Sequence, residues 1–170
     1  MFSRKKEEGK KMKAIVYKSN TGHTLAYAKQ LSEELKLPYY TIKEAKTKLH
    51  HQDEIIFLGW ICASKIQGLN QAKKYQLKCI GAVGSYPIQK EYIDSLKTAN
   101  RITDPLFYLR GGIDFQKLTG IKKKLLQWVG KMMEKDKSLE NEEMIQMFKK
   151  GANYVAKENL NEMITFIKSK

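Results

Sequence analysis

Short apolar runs alternate along this chain with longer amphipathic segments, and this alternation is what most constrains the fold. Five runs have the character of buried strands, and they lie at 12–17, 39–42, 53–59, 77–84 and 106–109. Strands that are apolar on both faces and separated by helices predict a parallel sheet with helices on each side. A closed barrel of this type needs about 250 residues. Because the chain has only 170 residues, we expect one open, doubly wound α/β sheet of five parallel strands.

The segments between and after these runs have helical periodicity. Helices are predicted at 24–37, 67–75, 87–97 and 157–167, and Asn141 is expected to cap another short one. The segment 115–132 is predicted to present one inward apolar face. Its six members are Phe115, Leu118, Ile121, Leu125, Val129 and Met132. Residues 1–11 are charged and lack an apolar core, so we expect a flexible basic tail followed by a single domain at 12–170, with translation from Met12 as an open alternative.

The excess of positive charge limits the kinds of partner that the chain is expected to bind. The formal net charge is +14, which favours nucleic acid, an acidic membrane surface, or a small ligand with phosphate or carboxylate groups. Cys62 and Cys79 make no CxxC pair, so they predict neither a disulfide framework nor a zinc site, and a reducing cytoplasm is the simplest location. His50 and His51 precede the third strand, away from the expected site, and we predict no metal there. No apolar stretch approaches the roughly 20 residues of a membrane-spanning helix.

The loop after the first strand carries the strongest functional signal. It reads Ser19, Asn20, Thr21, Gly22, His23 and Thr24. A loop that feeds a helix N-terminus presents unpaired backbone N–H groups to an anion, and the hydroxyls add further donors. The Walker pattern and the dinucleotide GxGxxG pattern are both absent. The segment therefore predicts a site for one terminal phosphate, with a plain helix cap by Thr21 or Thr24 as the alternative.

This loop resembles the hydroxyl-rich FMN phosphate loop of the flavodoxins. The resemblance extends over about 12–170 and implies FMN as cofactor and the strand order 2-1-3-4-5. Within that superfamily the chain is similar to the small flavodoxin-domain proteins that include the menaquinone-dependent protoporphyrinogen oxidases. The similar stretch is 107–115 together with the lysine-rich helix that follows it. The oxidases carry a long basic insertion before the fifth strand, where this chain has room for one helix and a turn.

The resemblance also implies two loops that hold the flavin ring. They comprise Gly59, Trp60, Ile61, Cys62, Ala63, Ser64 and Lys65 after the third strand, and Gly84, Ser85 and Tyr86 after the fourth. Trp60 and Tyr86 are expected to pack against the flat ring. The alternatives are that Trp60 anchors the core and that Tyr86 is a surface tyrosine.

Positive charge near these loops distinguishes the chain from acidic flavodoxins. Lys18, Lys65 and Arg110 fall in or beside them, and cations near a reduced flavin raise its potential. Arg110 could also bind a substrate carboxylate. The predicted substrate segment is Arg110, Gly111, Gly112 and Asp114, and the alternative is that Arg110 pairs with Asp114.

Three functions follow as expectations. The first is an FMN-binding electron carrier with a redox partner protein. The second is an oxidoreductase of the protoporphyrinogen IX dehydrogenase type, which would use a small anionic substrate or a quinone. The third is a non-redox module that binds an anion or nucleic acid, although we expect no nucleic acid. No catalytic side chain is assigned, because flavin chemistry lies in the cofactor. We expect a cytoplasmic protein, with peripheral contact at the inner face of the membrane left open.

Overall fold

A computed structural model describes residues 11–136 and 142–169 of the chain. Residues 1–10 of the expected tail and the expected helix cap Asn141 lie outside the described residues. The described part contains a parallel sheet with helices around it, as the apolar runs predict.

Five parallel strands form the sheet in the order β2-β1-β3-β5-β6. They are β1 (Ala14–Lys18), β2 (Tyr39–Thr41), β3 (Glu54–Cys62), β5 (Gln76–Gly84) and β6 (Leu106–Arg110). A short strand β4 (Lys65–Ile66) folds back antiparallel onto the end of β3. Counting the five parallel strands alone, the order 2-1-3-4-5 and the doubly wound α/β class are confirmed.

The helices follow the strands in the expected alternation. They are α1 (His23–Leu35), α2 (Ile42–Lys48), α3 (Leu69–Ala72), α4 (Lys90–Asn100), α5 (Gly120–Lys135), α6 (Glu142–Lys150) and α7 (Asn161–Lys168). A 3₁₀ turn (Lys157–Leu160) leads into α7. Helix α2 was not predicted, although the capping box of Thr41 and Glu44 marks its start in the sequence.

The core consists of two apolar clusters, one on each face of the sheet. On one face Ile15, Ile56 and Leu58 pack with Tyr27 and Leu31 of α1, and α7 joins the same cluster. On the other face are Val16, Phe57 and Ile80, with α2 and α3. Since both faces of the central strands are covered, their side chains are apolar at successive positions. Cys79 lies in this core, where burial raises the pKa of its thiol to about 12.

A third, smaller cluster lies beyond the edge of the sheet. The strands β7 (Gly112–Ile113) and β8 (Ala152–Asn153) pair antiparallel. Side chains of α5 and α6 pack with these strands in the cluster. Gly112 has φ +146°, and a Cβ there would collide with the backbone of Ala152, so this crossing requires glycine. Ile113, Met147 and Phe148 form the buried centre.

The inward face expected at 115–132 was wrong in part. Helix α5 begins only at Gly120, and α6 packs on the side that carries Gly130, with Leu126, Val129 and Met133 half-buried against the third cluster. As a result, residues predicted to point inward are exposed. They are Ile121, Leu125 and Met132.

The loop expected after Gly59 is a β-hairpin. Strand β3 continues to Cys62, and Cys62 pairs with Lys65 across a two-residue turn. Ala63 and Ser64 at the turn both have positive φ, 46° and 61°. This is the mirror-image turn that suits the twist of a hairpin, but it costs energy for residues with a Cβ.

We predict that Ser64→Gly stabilises the protein. Glycine removes the strain of a left-handed backbone, so the free energy of unfolding should rise by about 1 kcal/mol. Urea unfolding followed by circular dichroism measures this change. The matched control is Ser95→Gly inside α4, which should destabilise, because glycine costs about 1 kcal/mol in a helix. An unchanged or lower stability of Ser64→Gly would contradict the strain argument.

Candidate functional site

A cavity of about 420 Å³ opens at the carboxyl edge of the sheet. The loop after β1, the end of β3 and the loop after β5 form three of its walls. Thirteen of the predicted site residues line it. They are Ser19, Asn20, Thr21, His23, Thr24, Trp60, Ile61, Cys62, Gly84, Ser85, Tyr86, Gly112 and Asp114. These three loops meet because the strands before them are parallel neighbours.

The loop between β1 and α1 has features that are typical of anion sites at helix N-termini. Gly22 is the N-cap of α1 with φ +106°, and it supplies no side-chain cap; the first turn carries no acidic residue. The Ser19 hydroxyl accepts hydrogen bonds from the backbone N–H groups of Gly22 (3.2 Å) and Leu25 (3.4 Å). The first-turn amides of His23 and Thr24 have no intrahelical acceptor, because helices leave such groups unpaired at this end. Thr24 itself is buried and lines the cavity.

His23 lies between this loop and the segment after β6. Its Nδ1 shares a hydrogen bond of 3.2 Å with the hydroxyl of Thr21, and a Cβ on Gly111 would lie 3.3 Å from its Cβ. Burial lowers the pKa of His23 below its ordinary value of 6.5, the negative charge of Asp114 acts in the opposite direction, and Lys117 adds to the lowering. The imidazole is therefore mostly neutral at pH 7 while the site holds no anion.

The aromatic residues Trp60 and Tyr86 lie on two different walls of the cavity. Trp60, in β3, pairs in register with Val83 of β5. It is only half-buried and belongs to neither core cluster, which favours a ligand-facing role over a core anchor. The Tyr108 hydroxyl donates to the backbone oxygen of Tyr86 (2.7 Å) and so fixes the second loop. The ring of Tyr86 is 6.5 Å from that of Phe148 in α6.

The fourth wall was not predicted as part of the site. It is apolar apart from one lysine, and its members are Ile113, Leu118, Lys122, Leu125, Leu126 and Phe148. Val83, at the end of β5, was also missed. The apolar periodicity of α5 and α6 was visible in the sequence. Nothing in the sequence showed that α6 would turn α5 so that one edge of it faces the cavity.

The remaining residues of the predicted segment 59–65, and Gly22 of the first loop, do not line this cavity. Gly59 is packed within β3, where a Cβ would meet the backbone oxygen of Gln67. Ala63 and Ser64 occupy the hairpin turn and border a neighbouring groove. The ammonium group of Lys65 donates to the backbone oxygen of Ala99, at the end of α4. Gly22 faces a separate groove on the outer side of the phosphate loop.

Arg110 also does not line the cavity. Its Nη2 donates to Glu143 of α6 at 2.8 Å, and its guanidinium carbon lies 3.7 Å from the ring centre of Tyr154. The expected alternative partner was Asp114, but the ion pair forms with Glu143. This geometry favours a structural role for Arg110, in which it ties α6 to the end of β6. Gly111 serves the same join, since its N–H donates to Gly84 (2.7 Å) and its oxygen accepts from Tyr154.

The cations near the cavity therefore differ from those expected. Lys18, Lys65 and Arg110 do not line it, whereas Lys122 does. Lys117 lies beside the phosphate loop: its Nζ is 2.9 Å from where a Cβ of Gly22 would be. Lys117 is also 3.8 Å from Asp114, a loose and exposed ion pair that leaves its charge available to an anion.

Two further properties concern only the described part of the chain. Its His, Cys, Asp and Glu residues form no group that could hold a metal ion. None of its helices has the length and apolarity needed to cross a bilayer.

The fold and this site define an open α/β protein whose hydroxyl-rich first loop, at the uncapped start of α1, lies beside an apolar cavity that includes Trp60 and Tyr86. The family model for the flavodoxin domain matches residues 14–140, and the chain belongs to that family. Its members generally bind a flavin, usually FMN. No curated protein matches the chain significantly.

We predict that the pKa of His23 reports on the occupancy of the phosphate loop. In the apoprotein it should titrate below 6.5, because burial disfavours the charged ring. As the pH falls through 6.5, the unfolded chain takes up this proton first, so the apoprotein loses stability in that range. Adding FMN should raise the pKa, since a phosphate anion favours imidazolium. NMR titration of the histidine ring protons, assigned with His23→Gln, measures both values.

Riboflavin is the control ligand for that titration. It lacks the phosphate and should leave the pKa of His23 nearly unchanged. An equal rise with riboflavin and with FMN would place the phosphate away from His23.

Proposed function

We propose that this protein binds FMN in the cavity and acts as a flavin-dependent redox protein. One observation carries the proposal: the hydroxyl-bearing loop at the N-terminus of α1 opens into the same cavity as Trp60 and Tyr86. That cavity thus combines donors for one phosphate with apolar and aromatic walls for a flat ring. FMN, when bound, supplies the electron-transfer chemistry.

The residues of the chain divide the binding between them. The hydroxyls of Thr21 and Thr24 and the free amides of the first turn would hold the phosphate. Trp60 and Tyr86 would hold the ring, which gains from contact with aromatic faces. Lys117 adds positive charge beside the phosphate loop. The apolar edge of α5 excludes water from the opposite side, and this strengthens the charge interactions inside.

Removing the two threonine hydroxyls should weaken FMN binding selectively. Each charge-assisted hydrogen bond contributes about 1.5–3 kcal/mol, so we predict that Thr21→Val with Thr24→Val raises the Kd for FMN by a few powers of ten. The Kd for riboflavin should hardly change. Fluorescence titration of the apoprotein with each flavin measures this difference.

The matched control is Thr98→Val in α4, whose hydroxyl donates to Asp94 within its own helix. It should bind both flavins as the wild type does. Equal losses for FMN and riboflavin in the double variant would show that the threonines only cap α1. Tighter binding of FAD than of FMN would contradict a site for one terminal phosphate.

The position of Lys122 predicts which charge tunes the flavin. It lines the cavity, whereas Lys65 is held at the end of α4. Lys122→Glu should lower the midpoint potential, on the order of tens of millivolts, because a nearby negative charge opposes reduction. Lys65→Glu is the matched control and should have a much smaller effect. Spectroelectrochemical titration of the two FMN-loaded variants tests this; equal shifts would mean that only net charge matters.

The apolar fourth wall favours a more specific function: an oxidoreductase that acts on a bulky, apolar, anionic substrate. Leu118, Leu126 and Phe148 add apolar surface beyond the three flavin loops, and Lys122 offers a cation at the same wall. We include protoporphyrinogen IX in this substrate class, as the sequence resemblance implies, with Lys122 in place of Arg110 as the carboxylate partner. The alternative within the same proposal is a carrier that exchanges electrons with a partner protein.

Anaerobic stopped-flow mixing separates the two. If the substrate class is right, protoporphyrinogen should bleach the oxidised flavin absorbance within seconds, and Lys122→Gln should slow the bleaching while FMN stays bound. Absence of bleaching in the FMN-loaded wild type would rule out this substrate and leave the carrier.

A further inference from the structure

Helix α5 carries an exposed apolar stripe. Ile121 is 85% exposed, Leu125 55%, Trp128 57% and Met132 51%. Their spacings of four, three and four residues put them on one line along the helix. Isolated exposed apolar residues are common on soluble proteins, but a contiguous row of four large ones marks an interaction surface.

No described residue covers this stripe. The opposite side of α5 packs against α6. Gly130 is so close to α6 there that a Cβ at this position would lie only 3.0 Å from Phe148. Leu126, Val129 and Met133 complete that packed side. The burial of α5 in its own domain is thus achieved without the stripe, which faces outward as a second apolar face of the helix.

A row of lysines runs beside the stripe. Lys124, Lys131 and Lys135 are exposed, and their spacings of seven and four repeat those of Ile121, Trp128 and Met132. A constant offset of three residues places each lysine next to an apolar residue on the helix surface. None of the three lysines forms an ion pair with a described residue, so no described carboxylate neutralises their charges.

We propose that this face of α5 docks on an anionic lipid bilayer. A helix with a tryptophan-containing apolar stripe and a lysine flank lies in the membrane interface, with its apolar side chains among the acyl chains and its lysines at the phosphates. A second copy of the chain is a poorer occupant. Each copy carries a net charge of +14, and pairing the two stripes would bring two lysine rows together.

Docking in this way would set the mouth of the cavity against the membrane surface. Leu125 belongs to the stripe and also lines the cavity, as does Lys122 on the same helix. A lipid-soluble redox substrate could then reach the cavity without crossing water. The other three members of the stripe, Ile121, Trp128 and Met132, do not line the cavity, so substitutions at these positions test docking separately from the proposed flavin binding.

Vesicle flotation of the full chain tests the proposal. Vesicles of phosphatidylcholine with phosphatidylglycerol should carry the wild type upward, and phosphatidylcholine alone should carry much less. Ile121→Ser with Trp128→Ser should reduce the partition coefficient by about tenfold or more, since burial of large apolar side chains drives insertion. The matched control is Ile88→Ser, which removes another exposed isoleucine (58%) and should leave partitioning unchanged.

Charge reversal gives a second arm. Lys124→Glu with Lys131→Glu should abolish the preference for anionic vesicles, whereas Lys36→Glu with Lys48→Glu, at the C-terminal ends of α1 and α2, changes the net charge equally and should weaken the preference only slightly. The proposal is overturned if the wild type does not float with anionic vesicles, or if the two control variants lose binding as much as the α5 variants. It is also overturned if light scattering shows a dimer that Ile121→Ser with Trp128→Ser dissociates while no vesicle binding occurs.

Flavin titration of the same variants keeps the two proposals distinguishable. Ile121→Ser with Trp128→Ser should bind FMN as the wild type does, which supports a surface separate from the cavity. A wild type that floats on anionic vesicles but binds no FMN would overturn the proposed function and leave the docking surface standing.

Discussion

The parallel pairing of β3 with β1 on one side and β5 on the other is the constraint on which the rest of this structure depends. Parallel strands end at the same edge, so three loops that are far apart in sequence meet around one cavity. The pairing is possible because Ile55, Ile56, Phe57 and Leu58 are apolar on both faces and fully buried. The site therefore takes little from the stability of the fold, because many of its groups lie in loops and at strand ends, whereas burial of the central strands supplies the stability.

A second join attaches the α5–α6 unit to this frame. Arg110, at the end of β6, contacts both Glu143 and Tyr154, and the Tyr27 hydroxyl of α1 donates to the Arg110 backbone oxygen. The guanidinium of Arg110 binds a negative charge and an aromatic face at the same time. A surface lysine could not make this pair of contacts with the same specificity. By fixing α6, the Arg110 contacts also fix the face of α5 that borders the cavity. Arg110 therefore influences the site by positioning α6, and it does not itself line the cavity.

The roles of the excess positive charges depend on where the lysines lie in the structure. Some lysines are used internally: Lys65 and Lys73 donate to the backbone oxygens at the end of α4 and compensate its negative pole. Lys117 and Lys122 lie by the cavity, and three lysines of α5 flank the apolar stripe. The same side-chain type therefore serves helix capping, the candidate flavin site and the proposed membrane surface, and the net charge alone could not separate these uses.

The sequence by itself determined the sheet, its five parallel strands and the first loop, because buried strands and a hydroxyl-rich helix start are local patterns. It also identified the segments that contain Trp60 and Tyr86, since apolar runs mark the strands that lead to them, but it ended the third strand at Gly59 whereas β3 continues to Cys62. Only the tertiary structure decided which way α5 faces: its apolar residues fit two helical sides, and the packing of α6 against Gly130 selects one and leaves Ile121 and Trp128 outside. It likewise decided the role of Arg110, whose partner Glu143 is 33 residues away in the chain. Local periodicity records that a helix is amphipathic, but the choice between partners across such distances is made by packing and charge in three dimensions.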